Sequence, residues 1–302
     1  MSKFSAMKLC VQTVFIMKEV KYCYINDELS PVETASIGIS DLALLRGYGV
    51  FDFLAVRQGT PLFLGDYLAR FERSAGVLGL QLPFPMEQLH DMVWSLVEAN
   101  GLQDAGIRLV LTGGYSEDGY APAVPNLIIL EHYLAPKSES TWNQGIKMLS
   151  YAHQRELPEA KSINYLTGIQ LLGRLKKEDA AEALFHDNGW VRESARANFF
   201  IVSEQGKLVT PEKKILHGIT RQRILQSAGS LVDIETRELK LEEVFTAREA
   251  FITSTTKGNL PVLKVDNHFI GDGKPGPVSK AISDLLDRQI AAHILQTALS
   301  KV

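Results

Sequence analysis

The fold is decided by three short segments in the second half of the chain: Lys161-Ser-Ile-Asn-Tyr-Leu166, Val191-Arg-Glu-Ser-Ala-Arg-Ala-Asn-Phe-Phe200 and Leu216-His-Gly-Ile-Thr-Arg221. The first segment supplies a lysine, whose amine is a nucleophile once it is deprotonated. The second supplies a carboxylate, Glu193. In the third, Gly218 precedes an apolar-periodic helix whose first N–H groups can bind an anion. A fourth segment, Thr253-Ser-Thr-Thr256, adds hydroxyl groups.

These groups are the ones that an enzyme dependent on pyridoxal phosphate (PLP) needs. A lysine forms a Schiff base with the cofactor, a carboxylate pairs with the pyridine nitrogen, and a helix N-terminus binds the phosphate. In this order the segments resemble the class IV aminotransferases, a family that contains branched-chain aminotransferases, D-amino acid aminotransferases and aminodeoxychorismate lyase. The resemblance covers roughly residues 20–290, nearly the whole chain.

The resemblance implies a role for twelve residues. Lys161 is the expected catalytic residue, which would also move a proton between the substrate and the cofactor. The other residues expected to bind the cofactor are Arg70, Tyr165, Glu193, Asn198, Ile219, Thr220 and Thr255. The residues expected to bind the substrate are Arg46, Phe51, Arg108 and Thr256.

Arg108 is also unusual by its own context, because it interrupts the apolar strand Ile107–Leu111. A charged side chain in such a strand either faces outward or is paired inside the protein. We expect Arg108, Arg46 or both to bind a carboxylate of the substrate. The simpler interpretation of Arg108 is the polar face of a half-buried strand.

The order of elements predicts an α+β protein, since the strands do not alternate regularly with helices. Helices are expected at 66–80, 86–100 and 165–179. Two more are expected, one that starts after Gly218 and one that begins at Pro277. By resemblance this is the two-domain fold type IV of PLP enzymes. It implies a small N-terminal α/β sandwich domain at 20–134, a linker at 135–144, and a larger cofactor-binding domain with a barrel-like sheet at 145–302. Residues 1–19 are expected to be a poorly structured extension.

Composition excludes several classes of protein. The 302 residues are 45% hydrophobic and 22% charged, with a net charge of −3, and no basic block suggests a nucleic-acid partner. No apolar run is long enough to span a membrane. The two cysteines, Cys10 and Cys23, are too few for a disulfide framework and fit a reducing cytoplasm. The histidines show no paired metal-binding spacing, so no metal is expected.

The reaction expected is transfer of an amino group between an amino acid and a 2-oxo acid, with a D-amino acid favoured. Residues 252–256 and 271–280 resemble the D-amino acid branch most closely. A branched-chain L-amino acid aminotransferase is the first alternative, although Phe53 stands where that group usually has glycine. The second is aminodeoxychorismate lyase, which uses the same lysine for elimination. A non-catalytic scaffold is disfavoured because Lys161 and Glu193 are both intact.

The resemblance also implies a homodimer with active sites shared between subunits. The residues expected to reach the neighbouring site are Arg46, Tyr48 and the loop at 113–120, which carries two tyrosines.

Overall fold

The computed structural model describes residues 20–134 and 138–300. The predicted extension at 1–19 lies outside the described residues, as do residues 135–137 of the predicted linker. Two sheets organise the rest, one within residues 22–133 and one within residues 146–269. The division into two domains at 135–144 stays a prediction.

The first half of the chain forms a six-stranded antiparallel sheet. Its strands are β1 (Tyr22–Ile25), β2 (Glu28–Pro31), β3 (Gly49–Arg57), β4 (Thr60–Pro61), β5 (Asp104–Thr112) and β6 (Leu127–Tyr133). They lie in the order β2-β1-β6-β5-β3-β4. The long strands β3 and β5 pair along their whole length, so two adjacent rows of side chains run across the middle of the sheet.

Helices α2 (Leu64–Val77) and α3 (Met86–Asn100) cover one face of this sheet, and the short helix α1 (Leu42–Arg46) precedes β3. The bounds of α3 confirm the prediction, and Gly101 ends the helix in the left-handed conformation, with φ 69°. Alternate strand residues such as Leu54 and Ile107 are fully buried in one core cluster with Phe71 of α2 and Leu89 of α3. Burial of these apolar side chains is the main stabilising contribution to this half.

The other face of the same sheet carries a different set of side chains. Successive residues of a strand point to opposite faces, so Phe51, Phe53, Arg108 and Val110 lie together on the side away from α2 and α3. This face looks toward the second half of the chain.

The second half forms a ten-stranded sheet. Its strands are β7 (Ile146–Ala152), β8 (Glu182–Asp187), β9 (Trp190–Ser194), β10 (Asn198–Val202), β11 (Leu208–Thr210), β12 (Ile234–Thr236), β13 (Leu239–Lys240), β14 (Glu249–Ser254), β15 (Gly258–Val265) and β16 (His268–Phe269). Six of them follow one another in the order β10-β14-β15-β7-β8-β9, and a pairing between β9 and β10 closes the ring. The predicted barrel-like sheet is therefore confirmed.

Six further helices pack around this sheet: α4 (Glu139–Gln144), α5 (Leu166–Gln170), α6 (Leu172–Lys177), α7 (Ile219–Ser227), α8 (Leu241–Phe245) and α9 (Pro277–Ser300). Helix α4 occupies the described part of the predicted linker. The single helix expected over 165–179 is interrupted at Leu171, and Gly168 and Gly173 on either side weaken a continuous helix there. Helix α9 begins at Pro277 as predicted.

Across residues 20–134 and 138–300, no helix combines the length and the apolar character that crossing a membrane requires.

Candidate active site

A cavity of about 480 Å³ lies between the first sheet and the barrel. Eleven of the twelve predicted site residues line it, the exception being Arg46. The residues that the fold brings together are Phe51, Arg70, Arg108, Lys161, Tyr165, Glu193, Asn198, Ile219, Thr220, Thr255 and Thr256. They come from both sheets and from the starts of helices, which is why segments far apart in sequence meet here.

Lys161 is held by backbone contacts on both sides. Its N–H donates to Ser74 Oγ at 3.1 Å, and its carbonyl accepts from the N–H of Phe51 at 2.9 Å. Its Nζ lies 4.5 Å from the centre of the Phe51 ring. Burial lowers the pKa of Lys161 to about 8, and the nearby Arg70 guanidinium acts in the same direction. At neutral pH about a tenth of such amines are deprotonated, far more than for a solvated lysine.

Glu193 lies where the barrel closes. It is paired in the sheet with Asn198, the only register position that joins β9 to β10 in the described chain. Its Oε2 accepts from the N–H of Leu216 at 3.0 Å and from Asn198 Nδ2 at 3.3 Å. Burial raises the pKa of Glu193, while the guanidinium of Arg155 opposes this rise.

Arg155 is a site residue that the sequence reasoning missed. Its Nε and Nη2 both donate to Glu193 Oε1, at 2.9 and 2.8 Å, and its other bonds go to the carbonyls of Ala160 and Pro158. The arginine therefore ties Glu193 to the segment immediately before Lys161. Its place six residues before Lys161 is the only sequence signal, and it is a weak one.

The start of α7 forms a close-fitting cradle. A Cβ on Gly218 would lie 2.1 Å from Asn198 Oδ1, so any larger residue there requires the Asn198 side chain to move. Asn198 Nδ2 also donates to the carbonyl of Leu216 at 2.7 Å, which fixes the approach to the helix. The N–H groups of Ile219 and Thr220 are in the first turn, where helical backbone donors have no partner within the helix. The positive end of the helix dipole at this point favours a negatively charged ligand.

Two further predicted residues stand beside this cradle. Thr255 Oγ1 shares a hydrogen bond with the Tyr67 hydroxyl at 2.9 Å and donates to the Phe53 carbonyl at 3.3 Å. Arg70 forms a buried bidentate pair with Asp52, with bonds of 2.9 and 2.6 Å. This pairing uses Nε and Nη2 and leaves Nη1 without a partner in the described part of the chain. Asp52 was not predicted to take part.

Phe51 and Tyr165 form the aromatic side of the cavity. Their rings meet edge to face with centres 5.5 Å apart. Burial raises the pKa of Tyr165 to about 12, so its hydroxyl stays protonated at neutral pH and can donate a hydrogen bond.

Arg108 projects from β5 into the cavity. Its guanidinium lies 5.2 Å from the centre of the Phe51 ring and 5.5 Å from that of Phe53. Burial lowers the pKa of Arg108. No carboxylate within residues 20–134 and 138–300 forms an ion pair with it. Arg108 is half-buried and lies on the cavity face of β5, so both the role in binding a substrate carboxylate and the alternative of a polar strand face stay predictions.

A second unpredicted cluster lies at the rim. Glu182, only 3% exposed, accepts with Oε1 from Arg196 at 2.7 Å and from Lys257 at 2.6 Å. Burial raises the pKa of Glu182, but Lys257 and Arg196 outweigh it and hold the pKa below its ordinary value. Arg196 lies inside one of the deciding segments, yet its partner on β8 could not be inferred from it.

The residues predicted to reach a neighbouring subunit lie elsewhere. Arg46 is exposed at the end of α1, where its Nη1 donates to the carbonyl of Leu45 at 2.9 Å. The Tyr48 hydroxyl bonds to the carbonyl of Leu78 within its own chain. In the loop at 113–120, Tyr120 is 80% exposed.

The cavity fits PLP on its own chemistry. It holds a lysine whose pKa is lowered to about 8, a buried carboxylate fixed by four donor groups from three residues, and a helix start with a closely packed glycine. Thr253 Oγ1 is buried at the cavity and has no hydrogen-bond partner among the described residues, which suits a polar ligand. In the same residues no group of three or more histidine, cysteine or acidic side chains could hold a metal ion.

Comparison with known proteins agrees with this chemistry. The family model for amino-transferase class IV matches residues 49–265. The D-alanine aminotransferase of Bacillus licheniformis is 27% identical over 277 residues, covering 90% of this chain and 98% of that protein. A putative branched-chain-amino-acid aminotransferase of Methanocaldococcus jannaschii is 29% identical over 270 residues, covering 86% and 93%.

Solved structures share the fold. The branched-chain amino acid aminotransferase of Escherichia coli matches with a TM-score of 0.83 and 25% identity, over 90% of this chain and 95% of that chain. A hypothetical aminotransferase from Mycobacterium tuberculosis, solved in its PLP-bound form, matches with a TM-score of 0.78 at 20% identity, over 90% and 99%. The match of the family model over most of the chain shows that the protein belongs to the class IV aminotransferases and is a PLP-dependent enzyme.

Proposed function

We propose that the enzyme transfers the amino group of a dicarboxylic amino acid, such as glutamate, to a 2-oxo acid, and that it favours D-amino acids. The acidic side chain of the proposed substrate is chosen because the Arg108 guanidinium lies in the cavity and has no acidic partner in the described residues. A carboxylate is the natural ligand for it, because charge-assisted pairs with arginine are strong and directional. The preference for D-amino acids is supported by the relatives named D-alanine aminotransferase.

The distances suit this substrate. Lys161 Nζ and the Arg108 guanidinium lie 4.5 and 5.2 Å from the same Phe51 ring centre, and are thus at most about 10 Å apart. An extended glutamate whose amino group is at Lys161, together with one ion pair, covers this length. Thr256, exposed at the other side of the cavity, is then available to the α-carboxylate.

Each residue has a distinct part in the reaction. PLP, when bound, supplies an electron sink for the charge left when the proton leaves the substrate Cα. Lys161, with its lowered pKa, takes that proton and returns it. Glu193, fixed by Arg155, would pair with the cofactor's pyridine nitrogen and keep a proton there. Ile219, Thr220 and Thr255 would hold the phosphate.

A panel of amino acids tests the proposal. The PLP-loaded protein is mixed with D-glutamate, D-alanine, L-glutamate or L-leucine alone, and the visible absorbance of the bound cofactor is followed. We expect rapid bleaching with D-glutamate and slower or no bleaching with L-leucine. Bleaching by L-leucine and not by D-glutamate would contradict the proposal.

Branched-chain transamination is a second candidate, supported by the apolar side of the cavity, which includes Val110 and Ile163. In the same panel it predicts fast bleaching with L-leucine. The lyase alternative predicts release of pyruvate from its own substrate, aminodeoxychorismate, with the visible absorbance retained.

We also propose that the enzyme is a homodimer in which Arg46 reaches the partner's cavity. This proposal is supported by two observations: the Arg46 side chain is exposed, and it does not line the cavity of its own chain. The test is a mixed dimer of Lys161→Ala and Arg46→Ala subunits, purified with two different tags. If Arg46 acts across the interface, one of two sites is intact and activity is about half that of the wild type. Activity no higher than that of the Arg46→Ala homodimer would show that it does not.

A further inference from the structure

Phe53 stands directly opposite Arg108 in the pairing of β3 with β5. Phe51 is two residues earlier on the same face, so the two rings flank the guanidinium, with centres 5.5 and 5.2 Å from it. Attraction between a cation and the faces of aromatic rings favours this arrangement, especially where water is excluded. Cross-strand neighbours on one sheet face are the pairs that interact most closely.

The Phe53 ring occupies the space above Gly106, which has no side chain, on the neighbouring strand. A Cβ on Gly106 would lie 2.1 Å from Phe53 Cζ, so the ring rests against the bare backbone of β5. The Phe53 N–H donates to Asp52 Oδ1 at 2.6 Å, and its carbonyl accepts from Thr255 Oγ1. The Phe53 backbone is therefore held on both sides, and the ring packs in the space that Gly106 leaves open beside Arg108.

This arrangement has two consequences for a ligand. An arginine already held between two rings has less side-chain freedom to lose when it binds a carboxylate, so the binding is stronger. The Phe53 ring also occupies space that a branched aliphatic side chain would otherwise use. Both effects favour an acidic side chain over an aliphatic one.

We infer that Phe53 is a specificity-determining residue, which with Phe51 orients Arg108 toward the side-chain carboxylate of the substrate and excludes branched aliphatic side chains. The inference rests on the proposed function, since it assumes that Arg108 meets that carboxylate.

The experiment compares two unreactive acids of similar length, glutarate and 4-methylpentanoate. Both carry one carboxylate for the α-carboxylate position, and only glutarate carries a second. Binding to the PLP-loaded enzyme is measured by calorimetry and by the change in cofactor absorbance. The wild type is expected to prefer glutarate.

Two variants separate the two effects. Phe53→Leu removes the aromatic face but keeps most of the volume, and we expect glutarate to bind about tenfold more weakly with 4-methylpentanoate little changed. Phe53→Ala also opens space, so 4-methylpentanoate should bind several-fold more tightly. Val110→Ala is the matched control, because it removes volume from the same face without removing a ring; glutarate affinity should be retained.

The outcomes distinguish the inference from the proposed function. If the wild type prefers glutarate and both Phe53 variants keep that preference, the role of Phe53 is wrong while the proposed function stands. If the wild type binds 4-methylpentanoate at least as tightly as glutarate, the proposed acidic substrate is wrong, and the role of Phe53 fails with it. The role of Phe53 would also be wrong if Val110→Ala lost as much glutarate affinity as Phe53→Leu.

Discussion

Removing the charge of Lys161 should stabilise the cofactor-free protein at neutral pH. The pKa of this lysine is lowered from 10.5 to about 8, chiefly by burial. Each pKa unit corresponds to about 1.4 kcal/mol, so carrying the ammonium in the folded protein costs about 3 kcal/mol relative to the unfolded chain. The cost is fully present below pH 8, falls between pH 8 and 10.5, and disappears above that range, because both states are then neutral.

The test is urea denaturation of wild-type and Lys161→Met protein after removal of PLP, at intervals from pH 7 to 10.5. The free energy of unfolding of the variant minus that of the wild type should be about 3 kcal/mol larger at pH 7 than at pH 10.5. Contributions of other titrating groups cancel in this difference. The exposed Lys176 provides the control, since Lys176→Met should give a difference that does not change with pH. A constant difference for Lys161→Met would refute the reasoning.

Two other changes test the cradle and the rim. Gly218→Ala places a Cβ 2.1 Å from Asn198 Oδ1, and such overpacking costs about 1–3 kcal/mol. PLP binding, measured by equilibrium dialysis, should be correspondingly weaker than in the wild type. Changing Asn198 to Ala as well should recover part of the lost PLP affinity. A Gly218→Ala variant that binds PLP as tightly as the wild type would contradict the clash. Glu182→Gln removes the charged acceptor of Arg196 and Lys257 and should cost about 1–3 kcal/mol at pH 7. Because the pKa of Glu182 is lowered in the fold, the stability it provides is present above its unfolded value and lost as pH falls through the folded one. Thermal unfolding at pH 7 and pH 3 should therefore show a difference from wild type that shrinks in acid, and a difference that grows in acid would rule this account out.

Local signals predicted the residues whose chemistry depends on nearby sequence. Lys161 and Glu193 were predicted from the resemblance of their segments to the class IV aminotransferases, and both line the cavity, while α3 was predicted because its apolar period ends at Gly101. A glycine before an apolar-periodic helix marked the cradle at Gly218. In these cases the neighbours that matter lie within one helical turn or one strand.

Contacts between distant segments left no such mark. Asp52 looks like an ordinary strand residue until α2 brings Arg70 against it, 18 positions away. Glu182 receives Lys257 from a segment 75 positions later. The pairing partner of a buried charge depends on which strands become neighbours, and the order β15-β7-β8 joins strands that are far apart in the chain.

The pattern of charge pairing around the cavity explains which cations are available to ligands. Arg70 is neutralised by Asp52, and Arg155 by Glu193, each through two hydrogen bonds. Arg196 is held by Glu182. Within residues 20–134 and 138–300, Arg108 and Lys161 are the cavity cations without an acidic partner, and both have a lowered pKa.

An unpaired buried cation is costly, so a fold retains one where a ligand supplies the missing partner. For Lys161 the partner that we propose is the cofactor. For Arg108 we propose an anionic part of the substrate, because the helix start at α7 offers its own donors to the cofactor phosphate. A purely aliphatic substrate side chain would lie against the half-buried Arg108 guanidinium without supplying a charged partner. We therefore propose an acidic side chain over a branched one, even though the fold is shared with the branched-chain amino acid aminotransferase of Escherichia coli.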